Sequence, residues 1–225
     1  MNSIVILLAG ILLVGILVIV FYEYLYKGRT TESTTLISGQ VQIDERFQRT
    51  VNLAKLISEN RQSIVIPGYG NGLTFKWSMY LEDPVGERFW HTSYSKDKPI
   101  VTIGDSPHIY YNPKYNVLKV AVKYNETPFY AHYPIIELKD IPLRRWNDFV
   151  VCIDGAQVKI WINGEYRISK QLANEPVIST ADIELGQVDN NINGQIRDFE
   201  LYFRPFSSME IKKRLLPAQG GGWFW

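Results

Sequence analysis

Nineteen consecutive residues, Ile4 to Tyr22 (IVILLAGILLVGILVIVFY), carry no charge. At about 1.5 Å per residue such a run is about 28 Å long as a helix, close to the ~30 Å hydrocarbon core of a bilayer. A chain with this segment is read as membrane-anchored, with the remaining ~200 residues outside the lipid. A cleaved signal peptide fits less well. No Lys or Arg precedes the run, it exceeds the ~7–15 residues of an h-region, and no A-x-A-like site follows it. Tyr22, Tyr24 and Tyr26 stand where an aromatic belt is expected, with Lys27 and Arg29 just beyond. The positive-inside bias then places the rest of the chain on the cytoplasmic side. The lone Cys152 excludes an intrachain disulfide and suits that compartment, whereas the Asn125-Glu126-Thr127 triplet is a glycosylation acceptor usable only on the other side.

Net charge is +1 and no basic stripe is present, so nucleic acid is not an expected partner. Residues 27–36 are small and polar and read as a linker. Ile37 to Ile43 alternates like a strand, and 44–60 is ambiguous, with Asp44 able to cap a helix that lines up Phe47, Val51, Ala54 and Leu56. From residue 63 the pattern is β throughout. Strands are expected at 63–66, 72–81, 89–93, 100–103, 108–111, 117–124, 146–153, 157–162, 165–168, 181–186 and 194–204, then a short helical turn from Ser207 to Leu215. Asp154-Gly155 and Asn163-Gly164 favour the positive φ of tight hairpins. Strands at this spacing predict an all-β sandwich or jelly roll. The expected organisation is an anchor over 1–26, a linker or stalk with a first strand or short helix over 27–62, a sandwich over 63–216 and a Gly-rich tail over 217–225.

Three stretches are more specific. Arg145-Trp146-Asn147-Asp148-Phe149-Val150-Val151, followed by Asp154-Gly155 and Val158-Lys159-Ile160-Trp161-Ile162-Asn163-Gly164-Glu165, resembles the hairpin of laminin-G-like domains. Gly194-Gln195-Ile196-Arg197-Asp198-Phe199 through Arg204-Pro205-Phe206-Ser207 and Glu210-Ile211 resembles their closing strand. Leu73-Thr74-Phe75-Lys76-Trp77-Ser78-Met79-Tyr80 resembles an early strand. Together these cover about residues 63–215. The resemblance implies the concanavalin A-like lectin/glucanase fold, two antiparallel sheets in a jelly roll.

An enzyme is not expected. Glucanases of this fold carry an E-x-D-x-E-type strand, because hydrolysis needs two carboxylates facing one sugar. Asp182-Ile183-Glu184 offers two acids and reads as a solvent-facing edge. His91, His108 and His132 are scattered, and there is no nucleophile elbow, H-E-x-x-H or Cys/His cluster. No cofactor is expected; Asp189, Asn191 and Asn193 form an oxygen-rich loop able to hold Ca²⁺, but read first as a turn.

Binding is the expected role. Tyr110, Tyr111, Tyr130 and His132 belong to an aromatic-rich stretch suited to a glycan or a protein partner. Trp223, Phe224 and Trp225 end a Gly leash and are expected to dock on a neighbour, on the sandwich or at the membrane interface. Single-pass proteins with laminin-G-like domains occur in large DNA viruses, whose inner membrane lies beneath a protein shell. The leading expectation is therefore a minor capsid-associated virion protein, with the bilayer bound through Ile4 to Tyr22 and other protein subunits above it. A membrane-displayed carbohydrate-binding module is the alternative.

Overall fold

The computed structural model describes residues 15, 17, 33–43, 47–55, 72–83, 96–127, 130–187 and 192–215. The chain divides into two units, Met1–Ser33 and Thr34–Trp225. In the first, Gly15 and Leu17 are helical; the rest of the apolar run lies outside the described residues. Among the described residues no helix is long and apolar enough to cross a membrane.

The second unit is an antiparallel two-sheet sandwich. The first sheet orders its strands β1 (Ser33–Ile43), β14 (Gly194–Tyr202), β3 (Gly72–Leu81), β10 (Trp146–Asp154), β11 (Gln157–Ile162) and β12 (Glu165–Gln171). The second orders β2 (Gln48–Val51), β13 (Ile183–Gly186), β4 (Lys98–Ile103), β5 (His108–Asn112), β6 (Val117–Ala121) and β9 (Ile135–Lys139). A separate ribbon pairs β7 (Tyr124–Thr127) with β8 (Tyr130–His132). Helix α1 (Ser208–Leu215) follows the last strand.

Alternation decides what faces the core. On β3, Phe75, Trp77 and Met79 are buried between the sheets, while Lys76, Ser78 and Tyr80 are only partly covered on the opposite face. Trp77 is stacked between Phe149 (5.1 Å) and Phe199 (5.4 Å). Phe199 reaches that position through a β-bulge. The β14 register shifts between Arg197 and Glu200, and Asp198 takes a left-handed φ of 52°, so Ile196, Phe199 and Leu201 all point inward. At the β11–β12 turn Asn163 and Gly164 have φ of 53° and 78°, the pair of positive values a two-residue hairpin of this kind requires.

A second apolar cluster forms on the outer face of the first sheet: Val150, Cys152, Trp161, Tyr202, Phe206 and Ile211. The last residue is on α1, which therefore covers this half of the sheet. The Ser207 hydroxyl accepts the Glu210 backbone N–H (3.2 Å), capping the helix, and Glu210 pairs with both Nη atoms of Arg204.

Several expectations are corrected. Ser33 to Leu36, read as linker, is already strand, and Leu36 is buried. Gln48–Val51, read as possible helix, pairs with β13; helix begins only at 53–55. The strand expected over 117–124 breaks after Ala121, and Tyr124 starts β7. Asp182 and Glu184 are exposed as expected, but β13 lies inside its sheet, and Asp182 accepts a hydrogen bond from the Asn52 amide (3.0 Å). The strands expected at 63–66 and 89–93 lie outside the described residues.

Candidate functional site

The outer face of the second sheet collects the polar and aromatic residues of the 97–137 region. Register places Thr102, His108, Ala121 and Ile135 in one row, and Pro99, Tyr110, Lys119 and Glu137 in the next. Each alternates with a buried neighbour such as Ile109, Val120 or Ile136, so the inward half of every strand holds the outward half in place.

His108 and Tyr110 form one hydrogen-bonded unit. His108 Nε2 lies 2.7 Å from the Gly104 carbonyl, which can only accept, so this nitrogen carries the hydrogen. In the neutral ring Nδ1 is then the acceptor for the Tyr110 hydroxyl at 2.8 Å. The two rings meet edge to face, 5.7 Å apart. Burial pushes the Tyr110 phenol above its ordinary pKa, and the negative charge of Asp97 adds to this.

Alongside, Lys119 Nζ bridges Asp97 (3.0 Å) and Glu137 (3.8 Å), and the Asn112 amide donates to Asp97 (2.7 Å). One end of the face is built around Lys123. Its backbone N–H donates to the Ser106 hydroxyl (2.9 Å), and its ammonium binds Asp105 (2.8 Å) under the Tyr133 ring (5.9 Å). The hydrogen bond from Lys123, with its charge, holds the Asp105 carboxyl below the usual aspartate range; the same bond raises Lys123. Tyr133 and Ile135 are 45% and 48% exposed, and Val177, bridged to Lys123, is 42% exposed. This end therefore presents apolar surface beside a satisfied ion pair.

The expected site residues separate accordingly. Tyr110 is on this face, partly covered. Tyr111 is not: it is 1% exposed in the core, its hydroxyl donating to Asn116 Oδ1 (3.0 Å), because β5 alternation turns it inward. Tyr130 and His132 are on β8, opposite Thr127 and Tyr124, with side chains outside the described set. Trp223, Phe224, Trp225, Asp189 and Asn191 also lie outside the described residues. Asn193 turns the chain into β14 with φ of 52°, its carbonyl accepting the Glu82 N–H (3.0 Å). Among the described residues no group of three or more His, Cys, Asp or Glu could hold a metal ion. Sequence reasoning did not single out Lys119, Lys123, Asp97 or Asp105; the alternating lysines of Val117 to Tyr124 were the available signal.

This architecture agrees with a family model described as concanavalin A-like lectin/glucanases superfamily, which matches residues 70–212. The chain belongs to that superfamily. No curated protein matches this member. Among solved structures it is similar to the botulinum neurotoxin type G receptor binding domain, with 12% identity, a TM-score of 0.54, and coverage of 82% of this chain and 44% of that one. The receptor binding domain of the mosaic serotype C/D neurotoxin gives 13% identity, a TM-score of 0.58, and 81% and 44% coverage. The serotype D binding domain gives 13%, 0.57, and 81% and 46%. This chain spans under half the length of each. At such identities the likeness is one of fold, and function must be argued from the site.

Proposed function

We propose that this superfamily member is a non-enzymatic, membrane-anchored binding protein that ties a bilayer to a protein layer. The carrying observation is the outer face of the second sheet. Lys119 is paired with Asp97 and Glu137 and Lys123 with Asp105, while Tyr133, Ile135 and Val177 expose apolar surface beside the Lys123–Asp105 pair. Exposed apolar side chains rimmed by paired polar groups suit a protein contact. The uncharged run from Ile4 to Tyr22 supports the anchor, and Lys27, Arg29 and the unpaired Cys152 support a cytoplasmic-side domain. Within this reading, a capsid-associated protein joining an inner membrane to a virion shell is the finer assignment.

A photoreactive amino acid in place of Tyr133, in the native membrane or particle, tests the reading. A crosslink to a protein subunit is expected. Failure to trap protein there sinks the tether. A second reading, glycan binding, is favoured by the Tyr110–His108 unit, which offers a ring edge beside fixed hydrogen-bonding groups, and by the fold likeness to receptor binding domains. Saturable glycan-array binding that is lost in Tyr110→Ala would support it.

A further inference from the structure

The opposite face of the sandwich holds a second constellation, on the half of the first sheet that α1 leaves uncovered. Ser78 and Tyr80 of β3, Trp146 and Asp148 of β10 and Arg197 of β14 share that face by register. Arg197 reaches across β3 to lay its guanidinium 4.1 Å from the centre of the Trp146 ring, and Tyr80 packs against the same indole at 5.9 Å.

Three features set Arg197 apart. Lys76 and Lys159, on the same face, each hold an acid through the terminal nitrogen, at 2.9 and 2.8 Å. Arg197 meets its acid only through Nε, 3.9 Å from Asp198, and Nε is sealed from solvent with no hydrogen-bond partner. Its two Nη groups have no acceptor among the described residues, although the side chain is 40% exposed. The nearby acids are engaged elsewhere: Asp148 accepts from the Ser78 hydroxyl (2.5 Å) and Asp198 from the Gly39 backbone N–H (3.3 Å). Finally, Arg197 begins the bulge, held by the left-handed Asp198, that aims it at Trp146. Bulges re-aim side chains, and a non-glycine left-handed residue persists only where its surroundings hold it.

We propose that Arg197, stacked on Trp146 and flanked by Tyr80, is the anchor point for a carboxylate side chain of an acidic segment on a partner protein. A guanidinium held over the Trp146 ring with both Nη groups open matches the two oxygens of a carboxylate in a paired geometry. Arg, Trp and Tyr are also the residue types that dominate binding energy at protein interfaces. The proposal rests on the protein-tether reading and adds the sandwich face and chemistry of a second contact.

The test uses the full chain in phosphatidylcholine nanodiscs with ¹⁵N-labelled tryptophan, the Trp146 indole resonance being assigned through Trp146→Phe. The probes are acetyl-Asp-Glu-Asp-Glu-amide, its neutral counterpart acetyl-Asn-Gln-Asn-Gln-amide, and glucuronate. A saturable Trp146 shift with the acidic peptide alone is expected, weakening as salt rises. Arg197→Gln should weaken binding ~10-fold or more, and Arg197→Lys, which keeps the charge but loses the fork and the stack, several-fold. Unfolding midpoints of both variants show whether each is folded; Arg197→Lys carries the test if Arg197→Gln is not. No shift, an equal shift with the neutral peptide, or undiminished binding by Arg197→Lys overturns the proposal. So does a glucuronate shift equal to the peptide's, which would reassign the site to carboxylated sugars. Each of these leaves Tyr133 crosslinking unaffected, so failure here is distinct from failure of the tether.

Discussion

At the residue scale, position in the pleat separates side chains that hold the fold from side chains free to bind. Trp77 belongs to the first kind, with aromatic rings on both faces and 1% exposure. Trp77→Ala should cost roughly 3–5 kcal/mol, as large core truncations do, read as a lower denaturation midpoint at unchanged denaturant slope. Gly186 is a different constraint. It has φ of 68°, and a Cβ there would stand 2.1 Å from the Phe47 carbonyl oxygen. Gly186→Ala must displace the chain entering β2, so a loss above the ~1 kcal/mol of an ordinary glycine change is expected in the same experiment. The Lys123–Asp105 pair supplies the pH dependence. Asp105 is lowered, so its contribution is present above the ordinary aspartate pKa and lost as pH falls through the lowered value. Lys123 is raised, so its share is complete below the ordinary lysine pKa and lost as pH rises through the raised value. In an NMR titration the Asp105 carboxyl should have a midpoint below that of a free aspartate, and Lys123→Ala should move it up. An unmoved midpoint would mean that the ion pair is not formed in solution.

At the element scale, α1 seals the outer cluster. Ile211 is fully buried among Val150, Cys152 and Trp161, and burial pushes the Cys152 thiol up, so it stays protonated near neutral pH. In the native protein Cys152 should resist iodoacetamide. Ile211→Ala should cost roughly 2–5 kcal/mol and raise the alkylation rate, timed by mass spectrometry. The helical turn beginning at Ser207 was legible in the sequence, as were the Asn163-Gly164 hairpin and the strand of β3, because each is a local rule. Tyr111 was not: Tyr110 and Tyr111 are chemically identical, and only the pairing of β5 with β4 and β6 decides which one faces solvent. The bulge at Asp198 was equally hidden, since a left-handed aspartate looks like any other in a sequence. Ser33 to Leu36 read as linker because small polar threonines suit a loop or an edge strand alike. The Lys123–Asp105 and Arg197–Trp146 contacts join residues 18 and 51 positions apart, beyond any local pattern.

At the scale of the whole molecule, the sandwich offers two opposite outer faces with different chemistry. The second sheet exposes apolar side chains beside closed ion pairs, while the first sheet exposes an arginine with open donors. A single-ligand module needs one such face; a tether that also holds a shell gains from both, since a second contact on the same chain acts at high effective concentration. Truncating both Tyr133 and Ile135 to alanine should therefore lower the unfolding midpoint only modestly, each being about half exposed, with a cost of about 1–3 kcal/mol. With the photoreactive residue placed at Val177 instead, the same double variant should lose most of its protein crosslinks, while the full chain still floats with lipid after an alkaline carbonate wash. Retained lipid flotation with lost crosslinks separates anchoring from binding. Loss of flotation in the unmodified chain would instead remove the membrane from the proposal and leave the two faces as the contacts of a free interaction module.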